Sequence, residues 1–119
     1  MFDGLFGNKD DVCREFNTQF DGVVVYAWYE YEDYSGSAEV IFIHDGKFFT
    51  VSGGHCSCNG LEDQWDPIEM PLAALRKVAA DGKGSYSDGI RCALEVLDEN
   101  GLSDCSGDEA AVFLKLRRG

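Results

Sequence analysis

Residues 38–54 read AEVIFIHDGKFFTVSGG, and few folds accommodate that run. Asp45-Gly46 is the pair favoured at the centre of a type I′ turn, where both residues take positive φ, and β-branched and aromatic residues flank it on each side. The pattern predicts a two-residue hairpin joining strands over 38–44 and 47–52. The turn sets the register: Phe42 falls opposite Phe49, Val40 opposite Val51, and Ile43 opposite Phe48 on the other face. Both faces are apolar near the turn, so each needs a cover, from helices at both ends of the chain or from a second subunit. Just upstream, VVVYAWYEY over 23–31 is β-branched and aromatic on both faces, which predicts a buried strand with EDYSGS as the turn after it.

Helical signals flank this sheet. Asn8 with Asp11 three residues on gives an N-cap of the capping-box kind, and Val12, Phe16 and Phe20 recur at helical spacing. A helix over 9–19 is expected, stopped by Asp21-Gly22. Pro71 suits a first turn, LAALRKVAA supplies helix formers and Gly82 ends the run, so a second helix is expected over 71–80. A third begins after Ser85 or Ser87, places Ile90, Ala93, Leu94 and Leu97 on one face, and ends at Asn100-Gly101. Over 107–118, Ser106 and Glu109 form a capping box ahead of AAVFLKLRR, although VFLKL reads equally as an edge strand; helix is preferred. The expected architecture is one α+β domain over residues 1–119, a three-stranded antiparallel β-meander packed with three or four helices.

A chain of 119 residues suffices for one hydrophobic core without disulfide support. No stretch approaches the roughly 20 apolar residues of a membrane span, and MFDGLFGNKDD lacks the pattern of an export signal. A cytoplasmic, non-membrane protein is expected. The five cysteines, at 13, 56, 58, 92 and 105, are an odd number, which favours free thiols or metal ligands over a disulfide framework.

Charge narrows the partners. Residues 1–69 hold 14 of the 22 acids and 3 of the 10 bases, so nearly all of the net charge of −12 lies there. Such a field repels nucleic acid and anionic membranes and speeds encounter with basic partners at low salt. The alternative is that the acidity only maintains solubility.

The loop GGHCSCNGLEDQW, residues 53–65, carries the chain's concentrated chemistry. Zinc takes about four N, S or O ligands, and its usual signature is two separated pairs. Here one tight cluster is offered, His55, Cys56 and Cys58. In an extended segment the two cysteines point one way and His55 the other, so a shared ion requires a fold-back that Gly53, Gly54 and Gly60 permit. Other ligands would come from His44, Glu62, Asp63, Cys92 or Cys105. A zinc module built on this loop, structural or catalytic, is one reading. The preferred one has no cofactor, with Cys56 and Cys58 as small buried hydrophobes beneath Trp65 and His55 in a glycine-rich turn. A thiolate enzyme pairing Cys56 with His44 is disfavoured, because surrounding acids raise a thiol's pKa. With no phosphate-cradling motif either, no enzymatic activity is expected.

The run Tyr31-Glu32-Asp33-Tyr34-Ser35-Gly36, then Asp45-Gly46-Lys47 between strands, then Gly54-His55-Cys56-Ser57-Cys58, Gly60-Leu61-Glu62 and Gln64-Trp65 resembles a group of small bacteriophage-encoded proteins with no assigned activity. The resemblance covers about residues 22–76, and its H-C-S-C-x-G-L-E-x-Q-W stretch is its specific part. It implies a phage or prophage origin and expression in the bacterial cytoplasm.

Glu30, Glu32, Asp33, Glu39, Glu62, Asp63, Asp66 and Glu69 gather near the strand ends and the loop, interleaved with Tyr29, Tyr31, Tyr34 and Trp65. Two acids at i and i+2 on one strand face stand about 6.8 Å apart, close to two base-pair steps of a duplex. Aromatics among them are common interface anchors. The expected partner-binding set is Glu30, Glu32, Asp33, Tyr34, Glu39, Glu62, Asp63, Trp65 and Asp66. By analogy with small acidic phage proteins, the expected partner is a basic, nucleic-acid-handling host protein such as a CRISPR effector, a restriction enzyme or RNA polymerase. The chain itself, monomer or homodimer, is expected not to bind nucleic acid.

Overall fold

A computed structural model describes residues 2–32, 35–56, 61, 64–82 and 84–99, with the backbone alone for 31, 32, 55, 56 and 85. Among these the chain forms β1 (Phe2–Gly4), α1 (Lys9–Phe16), β2 (Val23–Glu32), β3 (Ser35–His44), β4 (Lys47–Cys56), β5 (Ile68–Glu69), α2 (Leu72–Asp81) and α3 (Ser85–Glu99). The hairpin turns where its sequence requires, with positive φ at both Asp45 (51°) and Gly46 (76°). All three expected pairs form: Phe42 with Phe49, Val40 with Val51 and Ile43 with Phe48. Its strands run further than expected, to Ser35 and Cys56. The tail over 107–118 lies outside the described residues.

The α+β class holds, but the sheet is wider than a three-stranded meander. It has five strands in the order β1-β2-β3-β4-β5. β1 adds to one edge in parallel with β2, Phe2 beside Ala27, and β5 adds to the other edge through Phe49 and Thr50. Both additions are too short to show a period of two, and they form because the meander leaves edge groups to pair: Leu5 N–H donates to Tyr29 O at 2.8 Å and Met70 N–H to Phe48 O at 2.8 Å.

A bulge explains why VVVYAW is apolar throughout. The register of β2 on β3 shifts between Val24 and Tyr26, so Val25 and Tyr26 both join the core on one face while Val24 and Ala27 serve the other. On the first face Val25, Trp28, Ile41, Ile43 and Phe48 pack beneath Leu75 of α2 and Ile90, Leu94 and Leu97 of α3. On the second, Val24, Val40, Phe42 and Val51 pack with Phe6, Val12, Phe16 and Leu61. Helices from both sides of the meander therefore cover it within one chain. The first is shorter than expected: Asn8 Oδ1 accepts Asp11 N–H at 2.9 Å, but Asn17 takes the left-handed conformation and ends α1 there, well before Asp21-Gly22.

Candidate functional site

Strand alternation puts Glu39 on the same face as Ile41 and Ile43, beneath the helices. It is 1% exposed. Trp28 stands opposite it in β2 and donates its indole N–H to Glu39 Oε1 at 3.2 Å. Among the described residues Glu39 Oε2 has no hydrogen-bond partner. Gly89 of α3 makes this burial possible: a Cβ there would overlap Glu39 Oε1 and stand 2.5 Å from Trp28 Nε1. Burial pushes the Glu39 carboxyl up to about 8, with the Trp28 N–H opposing the shift, so at neutral pH it is mostly an uncharged acid. Glu39 is therefore buried and not part of an acidic, partner-binding surface, contrary to the expectation from its acidic neighbours. Its place two residues before Ile41 was the signal for burial.

Beside this pair opens a cleft of about 240 Å³, lined by Asp3, Tyr26, Trp28, Glu30, Asp88 and Cys92 among others. Its carboxylates come from three elements, β1, β2 and α3. Tyr26 donates its hydroxyl to Asp3 Oδ2 at 3.2 Å. Burial, with the Cys92 thiol and Asp3 nearby, raises the Tyr26 pKa, so the phenol stays a neutral donor. Asp88 pairs with Arg91, whose guanidinium also donates to Ala79 O at 2.7 Å and Gly82 O at 2.6 Å and ties the α2–α3 connection. Asp3, Asp88, Tyr26 and Cys92 had no distinguishing sequence signal, since only the parallel pairing of β1 and the packing of α3 bring them together. Chemically the cleft presents acceptors at an open edge, an arrangement suited to a cationic group.

The opposite face carries a second depression, built by the Gln64-Trp65 segment. Gln64 acts as a short piece of strand: Gly54 N–H donates to its Oε1 at 2.8 Å and its Nε2 donates to Gly54 O at 2.7 Å. Gly53 lets the segment lie close, since a Cβ there would stand 3.1–3.2 Å from Leu61, Gln64 and Phe16. Trp65 is thereby laid on aromatic rings, stacked on Phe42 (centroids 5.5 Å, 17°), tilted against Phe20 (4.6 Å) and edge-on to Phe16 (5.2 Å). Phe42 in turn stacks on Phe49 (5.4 Å, 16°). The rings, with exposed Asp21 and half-buried His44, border a groove of about 300 Å³.

Of the expected partner-binding residues, the four whose side chains are described, Glu30, Glu39, Trp65 and Asp66, do not share one surface. Glu30 lies exposed in the cleft on the α3 face, whereas Trp65 is half-buried on the opposite face and Asp66 exposed beside it. Asp33, Tyr34, Glu62, Asp63 and Cys58 lie outside the described residues, as do the side chains of Glu32, His55 and Cys56. The hairpin does settle one pairing. His44 sits beside the turn and Cys56 pairs with Ser35 at the far end, about 30 Å away along the strand. His44 and Cys56 therefore form no catalytic pair, and His44 supplies no ligand to a metal held at Cys56. Among the described residues no group of three or more His, Cys, Asp or Glu is placed to hold a metal ion, and no helix is long and apolar enough to cross a membrane. Compared with protein-family models, curated proteins and solved structures, the chain matches none.

Proposed function

We propose that this chain is a small acidic binding protein of phage type, which inhibits or redirects a basic, nucleic-acid-handling bacterial protein by occupying its nucleic-acid site. The observation that carries the reading is the concentration of 14 acids against 3 bases in residues 1–69. The exposed placement of Asp3, Glu30 and Asp66 supports it, since these carboxylates are available to a partner. No catalytic step and no cofactor enter this reading: the carboxylates substitute for phosphates, and binding follows from charge complementarity and water exclusion. A CRISPR effector, a restriction enzyme and RNA polymerase are the partner classes whose sites have the required sign.

The test is to express the tagged chain in a bacterial host, recover what co-purifies and identify it by mass spectrometry. The expected result is a basic nucleic-acid-handling protein whose binding weakens steeply with salt and is competed by nucleic acid. Retention of an identified partner at high salt, or undiminished binding in the presence of excess nucleic acid, would overturn the reading.

A further inference from the structure

We infer that the aromatic groove formed by Phe20, Phe42, Phe49 and Trp65, with Asp21 at its rim, receives an arginine side chain of a basic partner protein. The inference deepens the proposed function and rests on it for the nature of the partner. Three observations lead to it. The groove, of about 300 Å³, joins aromatic walls to a carboxylate, the combination that suits a guanidinium, which stacks flat on rings and pairs with a carboxylate by two parallel N–H donors. One ring of the cluster already engages a cation: Lys9 Nζ lies 4.6 Å from the centroid of Phe20 while donating to Gly22 O at 3.0 Å, so Phe20 makes a cation–π contact within the fold. Asp21 is exposed and enters none of the ion pairs among the described residues, which leaves its carboxylate for an incoming charge.

The groove's position adds to this. Phe42 and Phe49 are a cross-strand pair of the hairpin, and Trp65 is fixed over Phe42 by the Gln64 amide on Gly54. The walls are thus held in place before a ligand arrives, which lowers the ordering cost of binding. Arginine is preferred to lysine because an ammonium is a compact, strongly hydrated point charge and gains less from a flat aromatic wall. Nucleobases would also stack on such rings, but a chain of net charge −12 repels the phosphates that carry them.

The test uses the full chain and a small probe, the blocked tripeptide acetyl-Gly-Arg-Gly-amide, with the lysine and norleucine tripeptides as controls. The readout is the pair of tryptophan indole N–H signals in a nitrogen–proton NMR spectrum. Trp28, buried on the opposite face, is the internal reference, and Trp65→Phe assigns the two signals. The arginine peptide is expected to shift the Trp65 signal saturably and leave Trp28 unmoved. Asp21→Asn, which leaves the rings in place, is expected to weaken binding about fivefold, the upper range for an exposed ion pair. An equal response to the norleucine or lysine peptide, no saturable shift, or unchanged affinity in Asp21→Asn would overturn the inference. Because no partner protein enters this measurement, its failure is separate from that of the proposed function. Conversely, a partner found by co-purification that binds Asp21→Asn and Phe20→Leu as tightly as the parent chain would remove the groove and leave the acidic-binder reading intact.

Discussion

Trp28 and Glu39 face each other across β2 and β3, and the indole N–H of the first donates at 3.2 Å to a carboxyl that is 1% exposed. The carboxyl's value is raised from 4.5 to about 8 by burial, so the folded chain holds a proton that the unfolded chain releases. The associated stability is fully present below about pH 4.5 and is lost as pH rises towards 8, with a slope of at most about 1.4 kcal/mol per pH unit. Glu39→Gln keeps an acceptor for the indole and cannot ionise. Denaturant midpoints measured from pH 5 to 8 are expected to fall in the parent chain and to fall less in Glu39→Gln. Parallel curves would mean that the carboxyl is charged in the folded protein.

The same pair governs Gly89. Alanine is favoured over glycine inside a helix by about 1 kcal/mol, yet Gly89→Ala is expected to destabilise by about 1–3 kcal/mol, because its methyl group would overlap Glu39 Oε1 and crowd Trp28 Nε1. In a Glu39→Ala background the closer of the two obstructions is gone and only the Trp28 contact remains. Unfolding free energies of the four proteins in this cycle should then show that the two changes together cost less than their sum; additivity would mean that α3 does not press on Glu39.

How much of this was legible in the sequence depends on the range of the cause. The Asp45-Gly46 turn and its cross-strand pairs are decided within a dozen residues, and they form as the pattern requires. The Asn8 cap is equally local, and so is the stop at Asn17, which ends α1 in the left-handed region that asparagine tolerates. β1 and β5 hold three and two residues, too few to carry a pattern, and they owe their pairing to edges that exist only after the meander has formed. Glu39 stands among other acids in the sequence, but alternation with Ile41 and Ile43 at i+2 and i+4 decides its face, and it is buried. The cleft beside it was illegible, since Asp3 and Asp88, with 84 positions between them, come to line it only through the packing of α3 on β2.

Gln64 replaces strand pairing on β4 with its side-chain amide, so Gln64→Ala is expected to cost about 1–2 kcal/mol through two lost hydrogen bonds. Amide exchange at Gly54 should quicken in that variant, because its N–H loses its described acceptor. Asp66→Ala, at an exposed neighbouring position, is the control and should stay within about 0.5 kcal/mol of the parent. Unchanged protection at Gly54 in Gln64→Ala would count against the amide as the clamp that seats Trp65.

Reversing charge separates steering from solubility. Glu30 is exposed at the open cleft, and Glu32 and Asp33 follow it in the chain. Changing the three to Lys should mainly slow association with the partner found by co-purification, by about tenfold at low salt, because steering acts on the encounter rate. The matched control reverses Glu95, Asp98 and Glu99, which are exposed on α3; there Asp98 already lies 3.9 Å from Arg76, and the second half of the chain is nearly balanced in charge. Both variants change the net charge equally, so a purely colloidal role for the acids would affect them alike. Association rates measured across a salt series should converge as screening shortens to about 3 Å near 1 M salt. If the two triple variants associate at the same rate at low salt, the acids at the end of β2 do not guide the partner.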